Sequence, residues 1–218
     1  MKFFYVIYIA DDNLRTLIDG MRLFADMNQK YSAHITVRGP YESKDDYTPP
    51  SFYGWEREIA DTHILVSGID TFFNIKQSTI FFKCESEELR GIWWKKHFAH
   101  YSPHITIYDR NDKEYANEIL CELEKHQFNF SFKVAALEKL ISDSKRYPKT
   151  QTRLFGQLIN TINYELLSGI LGFQVDKFFI ETANKRTRLD CINRLATTLS
   201  SIRCNDDIII RDSCSPSK

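Results

Sequence analysis

The sequence lacks an excess of charge of one sign, cysteines at paired spacing and any long apolar run. Its 29 basic and 29 acidic side chains balance, so the composition gives no support to broad binding of long duplex DNA, which needs many phosphate contacts at once. The five cysteines are scattered and never form C-x-x-C; this argues against a disulfide framework or a zinc site and predicts a reducing, cytoplasmic setting. No stretch approaches the roughly 20 apolar residues of a membrane span, and we expect no membrane partner.

Charge is nevertheless divided unevenly along the chain. Residues 1–143 carry 17 basic and 22 acidic side chains, whereas residues 144–218 carry 12 basic and 7 acidic ones. Beyond a basic linker, apolar residues recur at helical spacing over 154–170, and a second helix is predicted over 187–202. We therefore predict a domain at 1–143 and a C-terminal helical extension at 144–218 whose two helices pack on that domain.

The first 143 residues predict an α+β fold in which one supersecondary unit occurs twice. The predicted elements, in chain order, are a strand at 3–9, a helix from 14, a strand at 34–38, strands at 63–69 and 78–84, a helix at 86–98, a strand at 104–108, a helix at 114–125 and a strand at 128–137. A long loop at 39–54, which contains three prolines, follows the second strand. Strand, helix and strand therefore recur, and each unit ends in the sequence His-Ile-Thr.

The two His-Ile-Thr strands carry the chemistry of the chain. Alternate side chains of a strand point to the same face, so His34 shares a face with Thr36, and His104 shares one with Thr106. Two imidazoles can supply the base and the acid that cleavage of a phosphodiester requires, and two hydroxyls can donate to the phosphoryl oxygens. Histidine titrates near neutral pH, so this chemistry needs no metal and no other cofactor.

Two copies of the motif are more informative than one. With six histidines in 218 residues, a bare H-x-T is expected about 0.4 times by chance. Both copies have an apolar residue within and after the polar pair, and both follow a predicted strand and helix. The alternative, in which each histidine merely forms hydrogen bonds within a sheet, does not account for the repetition.

The pair His34-Ile35-Thr36 and Pro103-His104-Ile105-Thr106 resembles the 2H phosphoesterase superfamily, which includes 2′,5′ RNA ligase-like proteins and cyclic phosphodiesterases. The resemblance covers residues 1 to about 142. It implies a two-lobed α+β fold with duplicated strand-helix-strand units, in which the H-x-T strands face each other across a cleft. It also implies that His34 and His104 act as acid and base and that Thr36 and Thr106 bind phosphate.

Further residues are candidates for substrate binding. Arg38 and Tyr108 continue the alternation of the two motif strands and would reach the catalytic face. Tyr8 and Tyr41 could stack on a base, although core packing explains such aromatic residues equally well. His97 and His100 are spaced as metal ligands can be, but no carboxylate or cysteine lies near them in sequence, and we predict no metal site.

The sequence thus predicts a metal-independent phosphodiesterase that acts on a nucleotide, a cyclic oligonucleotide or a short RNA. The phosphodiester that it cleaves would be a 2′,3′-cyclic phosphate, a 2′,5′ linkage or a linkage of a cyclic oligonucleotide. The alternative is a binding module that captures a nucleotide or an RNA end without turnover and uses its helical extension to engage a partner. A nucleic-acid adaptor built on the basic extension is a third reading. The specific substrate, the order in which the histidines act and the oligomeric state are left open by the sequence.

Overall fold

The structure, a computed structural model, describes residues 2–42, 52–59, 61–93, 100–142 and 157–202. It is an α+β fold, as the sequence predicts. The strands are β1 (Lys2–Ile9), β2 (His34–Glu42), β3 (His63–Phe73), β4 (Ser78–Glu85), β5 (His104–Arg110) and β6 (Phe130–Ser142). The helices are α1 (Asp12–Ala25), α2 (Phe52–Ile59), α3 (Glu87–Ile92), α4 (Lys113–Leu123), α5 (Tyr164–Leu171), α6 (Lys177–Thr182) and α7 (Lys185–Ser200), with a short 3₁₀ helix at Leu158–Asn160.

The six strands form one antiparallel sheet in the order β1-β2-β5-β4-β3-β6, and β6 also pairs with β1, so the sheet closes on itself. It consists of two three-stranded halves, β6-β1-β2 and β5-β4-β3. The halves are joined on one side by pairing of β3 with β6. On the other side β2 meets β5 at a single pair of residues, Ile35 and Ile105. We call this narrow junction the β2–β5 seam.

Helix α1 connects β1 to β2 and lies at the centre of the molecule. It begins at the N-cap Asp11, whose carboxylate accepts a hydrogen bond from the Leu14 amide at 2.7 Å, as the Asp-Asp-Asn turn in the sequence predicts. Almost all of its side chains are buried, because it packs between the sheet and the C-terminal helices α5 and α7. The buried surface of α1 is mostly apolar, but it also includes the charged residues Asp19 and Arg22.

Several predicted element boundaries were wrong. Residues 39–42 continue β2 rather than begin a loop, and helix α2 (Phe52–Ile59) begins within the last three residues of the predicted loop. Strand β3 continues past Ile69 to Phe73, because Gly68 adopts a φ of 130° at an irregularity in its pairing with β4 and lets the strand resume. The predicted domain boundary at 143 and the basic linker lie outside the described residues.

The C-terminal extension packs on the first domain as predicted, but with more helices. Helix α5 ends at Gly172, which takes the left-handed conformation with a φ of 73°, and α6 follows where no helix was expected. Helix α7 packs on both α1 and α4. No helix in the described ranges combines the length and apolar character that crossing a membrane requires.

Candidate active site

The two His-Ile-Thr strands lie side by side at the β2–β5 seam. Their central residues, Ile35 and Ile105, are directly paired in antiparallel register. One step to either side along this register sets His34 opposite Thr106 and Thr36 opposite His104. All four of these side chains line one cleft with a volume of about 330 Å³. The structure thus brings together the four residues that the sequence predicts to be catalytic.

The two histidines are held in the same way. Nδ1 of His34 lies 2.8 Å from the carbonyl oxygen of Ser32, and Nδ1 of His104 lies 2.8 Å from the carbonyl oxygen of Ser102. A carbonyl can only accept, so each Nδ1 carries the proton and each neutral ring keeps a lone pair on Nε2. The serine two residues before each histidine is repeated in the sequence, as Ser-x-His-Ile-Thr. The sequence-based prediction considered only His-Ile-Thr and therefore did not identify this serine.

The surroundings of the two imidazoles differ in charge. Burial, together with the nearby Arg22 cation and His104, lowers the pKa of His34 to about 4 against the opposing effect of the Ser32 carbonyl. Burial also lowers the pKa of His104, but the carboxylate of Asp109 and the carbonyl of Ser102 oppose that change. His34 is therefore the histidine that is neutral more readily, and His104 is the one that better holds a proton.

Arg22 is a buried cation in the wall of the cleft, and the sequence-based prediction missed it. The residue is 4% exposed. Its guanidinium donates to the Tyr31 carbonyl at 2.7 Å and to Gln29 Oε1 at 3.0 Å, and it pairs with Asp19 at 3.2 Å. Two charged residues three apart on an otherwise buried helix face are the signal that could have identified this pair.

Asp19 stands behind Arg22 and connects it to the motif strand. Its carboxylate accepts hydrogen bonds from the Ala33 amide at 2.6 Å and from the hydroxyl of Ser32. Ser32 is the residue whose carbonyl orients His34. The buried ion pair therefore fixes the segment that leads into β2, as a paired and hydrogen-bonded buried charge can.

The mouth of the cleft is polar and carries charges of both signs. Its other lining residues are Asp26, Asn28, Gln29, Lys30, Tyr31, Asp109 and Arg110. Arg110 pairs with Asp26 at 2.7 Å. Asp109 accepts hydrogen bonds from the amide of Gln77 at 2.5 Å and from the hydroxyl of Thr79 at 2.7 Å. These bonds hold Asp109 on the His104 side of the cleft.

Of the two tyrosines, Tyr8 contacts His34 without being one of the residues that line the cleft, and Tyr108 lies in the core. The Tyr8 ring contacts His34 edge to face, with ring centroids 5.9 Å apart, and burial raises the pKa of its hydroxyl to about 12. Tyr108 is 2% exposed and packs against Tyr115 in the core. The pairing of β4 with β5 is irregular between Thr106 and Tyr108, which turns Tyr108 inward and Asp109 toward the cleft.

Arg38 and Tyr41 lie in a separate aromatic cluster rather than in the cleft lining. The Arg38 guanidinium stacks over the Trp55 ring at 4.1 Å from its centroid and forms a hydrogen bond with Tyr41. Tyr41 in turn stacks on Phe3 at 5.2 Å. The pairing of β1 with β2 shifts between Tyr5 and Val6, so the alternation that was expected to align Arg38 with His34 is interrupted.

An aromatic pair on β3 and β4 contacts His104, and the sequence-based prediction did not include it. Phe72 stacks on Phe81 with ring centroids 4.4 Å apart, and both rings contact His104, at 5.7 and 4.8 Å. Phe72 was overlooked because the predicted strand ended at Ile69. The observed strand carries Phe72 to the edge of the site.

The described histidines outside the two motifs belong to no metal cluster. His97 lies outside the described residues, and Nε2 of His126 lies 2.8 Å from the side-chain oxygen of Asn193. Within the described ranges no three His, Cys, Asp or Glu side chains are grouped as metal ligands would be.

No protein-family model matches this chain, and no curated protein is significantly similar to it in sequence.

Proposed function

We propose that this chain is a phosphodiesterase of the 2H class, which cleaves a nucleotide or small-RNA phosphodiester by general acid-base catalysis between His34 and His104. The observation that carries the proposal is the matched pair of imidazoles. Each is oriented by a 2.8 Å contact from Nδ1 to a serine carbonyl, and both line one cleft with a threonine beside each. Two groups that can exchange protons on either side of one phosphate are what such a reaction requires.

The proposed reaction assigns a separate task to each pair of residues. One imidazole takes the proton from the attacking oxygen, water or a ribose hydroxyl, as the new P–O bond forms. The other donates its proton to the leaving oxygen as the old P–O bond breaks. Thr36 and Thr106 donate hydrogen bonds to the non-bridging oxygens. Solvent then removes one proton and supplies the other, which returns both histidines to their starting states.

The charges around the cleft support an assignment of these roles. His34 has its pKa lowered to about 4 by burial and by Arg22, so it is neutral over most of the pH range and suits the base. Asp109 favours the protonated form of His104, which suits the acid. Arg22 also places a buried positive charge near the phosphate position, where it would balance negative charge in the transition state.

The fold and the cysteines are compatible with the proposal. Two three-stranded halves, each containing a strand-helix-strand unit that ends in a motif strand, are consistent with the two-lobed architecture that the resemblance implies. Cys84, Cys121 and Cys191 are free thiols, which supports a reducing, cytoplasmic setting.

The test is turnover by the wild type and by single histidine variants, in the presence of EDTA. Suitable substrates are 2′,3′-cyclic AMP, 2′,5′- and 3′,5′-linked diadenosine monophosphates and a cyclic dinucleotide. We expect His34→Ala and His104→Ala each to lower kcat by about 10²- to 10⁴-fold. His63→Ala is the matched control, because His63 is exposed on β3 and is expected to leave kcat unchanged.

Full activity in either catalytic variant would contradict the proposal. Tight nucleotide binding by the wild type without turnover between pH 4 and 8 would instead identify the chain as a binding module.

A further inference from the structure

Phe72 is an exposed aromatic residue in a position that core packing does not explain. It is 47% exposed and lies near the end of β3, directly opposite Thr79 of β4. Its outward position contrasts with that of the other phenylalanines of the sheet, such as Phe82 and Phe130, which are fully buried in the core. An exposed ring at the edge of a polar cleft is a candidate contact surface for a ligand.

Phe81 shows why the Phe72 ring is held in place. Phe81 is directly opposite Thr106 and lies on the cleft face of the sheet, outside the core cluster of buried residues. It is nevertheless only 2% exposed, and Phe72 stacks on it with an angle of 27° between the ring planes. The inner ring thus supports the outer one, which is oriented before any ligand arrives.

The stacked pair contacts the histidine that is proposed to act as the acid. The Phe72 ring meets the His104 ring edge to face at 5.7 Å, and the Phe81 ring lies 4.8 Å from it. A group bonded to the oxygen that receives the His104 proton would emerge next to the open face of Phe72. A flat, apolar group there would bury aromatic surface that is otherwise exposed to water.

A second set of aromatic rings flanks the other histidine. Tyr31 lines the cleft and contacts the His34 ring edge to face at 6.4 Å. Tyr8 contacts the same imidazole at 5.9 Å. Each of the two cleft-lining imidazoles is therefore contacted by a separate set of aromatic rings.

On this basis we infer that the substrate carries a nucleobase on each side of the scissile phosphate, so that it is an internal linkage of a short single-stranded oligonucleotide, linear or cyclic. Phe72 stacks on the base beyond His104, and Tyr31 and Tyr8 border the base beyond His34. The inference rests on the proposed phosphodiesterase function and narrows it. A mononucleoside cyclic phosphate has a single base and would leave one of these sets of rings without a base.

Steady-state kinetics of Phe72→Ala on matched substrates tests this inference. The 2′,5′- and 3′,5′-linked diadenosine monophosphates carry two bases, whereas 2′,3′-cyclic AMP and the methyl ester of AMP carry one. We expect the wild type to prefer at least one dinucleotide, and Phe72→Ala to raise KM for it roughly tenfold with little change in kcat. Phe72→Trp should restore the low KM because it restores a stacking surface.

The control is Phe178→Ala, because Phe178 is an exposed aromatic residue on α6 and should leave both parameters unchanged. Wild-type preference for the one-base substrates, or an equal effect of Phe72→Ala on both classes, would overturn the inference while leaving the proposed function standing. Absence of turnover on every substrate would overturn both.

Discussion

Arg22 and Asp109 lie on the two sides of the cleft, and their opposite charges act on different histidines. The Arg22 cation lowers the pKa of His34, whereas the Asp109 carboxylate raises that of His104 against the effect of burial. The proposed mechanism requires a neutral base and a protonated acid before substrate binds, so kcat/KM should fall below pH 4 as His34 gains a proton. It should also fall as the pH rises through the His104 pKa, below its ordinary 6.5.

These two limbs of the pH profile predict the effect of removing each charge. Asp109→Asn should move the alkaline limb to lower pH, because His104 loses the carboxylate that stabilises its proton. Removing Arg22 should move the acidic limb to higher pH, because His34 no longer faces a cation. Arg22→Met alone would leave the buried Asp19 carboxylate unpaired, so it is combined with Asp19→Asn.

The measurement is the pH dependence of kcat/KM for each variant and for the wild type between pH 3 and 9. Asp61→Asn is a suitable control, because Asp61 is an exposed carboxylate paired with Lys133 outside the cleft. Limbs that stay in place in both variants would refute the assignment of His34 as base and His104 as acid.

At the residue scale, the sequence correctly predicted which side chains share a sheet face with each motif histidine two residues away. The same prediction was wrong for residues farther along each strand. Alternation over two residues places Thr36 with His34 and Thr106 with His104, and the structure agrees. One repeat further, irregular pairing turns Tyr108 into the core. Such irregularities depend on the partner strand, which local sequence does not contain.

At the scale of elements, helix α1 accommodates the C-terminal extension through one glycine. A Cβ added to Gly20 would lie 2.6 Å from Cδ1 of Leu167 and 3.4 Å from Cδ1 of Leu195. The side chains of Leu167 on α5 and Leu195 on α7 thus lie close to the α1 backbone, and an alanine at position 20 would require the Leu167 side chain to move. This contact joins the extension to the helix that also carries Arg22.

Substituting alanine at two helical glycines tests this packing. Gly20→Ala should lower the free energy of unfolding by about 1 kcal/mol, because the cost of overpacking exceeds the gain in helix propensity. Gly169→Ala on α5 is the matched control: no atom lies within 4 Å of its added Cβ, and it should stabilise the protein by roughly 0.5–1 kcal/mol. Chemical denaturation measures the free energy of unfolding of each variant. Equal stabilisation by the two substitutions would contradict the observed packing.

Element boundaries were harder to predict than element types. The amphipathic helices α1, α4 and α7 were predicted within a few residues, since their apolar spacing is long and regular. The helix at Phe52–Ile59 was not predicted, because Gly54 and the neighbouring prolines indicated a loop. Tertiary packing stabilises that helix, and its Ile59 is buried in the core.

At the scale of the whole molecule, the C-terminal extension supports the wall of the candidate cleft indirectly, through Gln29. The amide of Leu158 donates to the Gln29 carbonyl at 3.0 Å, and the Gln29 side chain accepts a hydrogen bond from Arg22. Lys185 of α7 pairs with Glu118 of α4 at 2.7 Å. These contacts connect the C-terminal extension both to the cleft-lining segment and to α4.

Truncation at residue 143 should therefore not yield an active enzyme. Residues 1–143 alone would expose the faces of α1 and α4 that α5 and α7 cover, and we expect aggregation or loss of the cooperative thermal transition. Size-exclusion chromatography and circular dichroism, with the full chain as control, give the answer. A monomeric, cooperatively folding fragment with full turnover would show that the extension is dispensable.

The β2–β5 seam gives the active site a local twofold axis that passes between Ile35 and Ile105. Rotation about this axis exchanges His34 with His104 and Thr36 with Thr106. The motif strands alone therefore do not determine which histidine faces the attacking oxygen and which faces the leaving oxygen. By microscopic reversibility, the reverse reaction would use the same cleft with His104 as base and His34 as acid. The assignment of one histidine as base and the other as acid must then come from residues that break the symmetry, Arg22 on one side and Asp109 with Phe72 on the other.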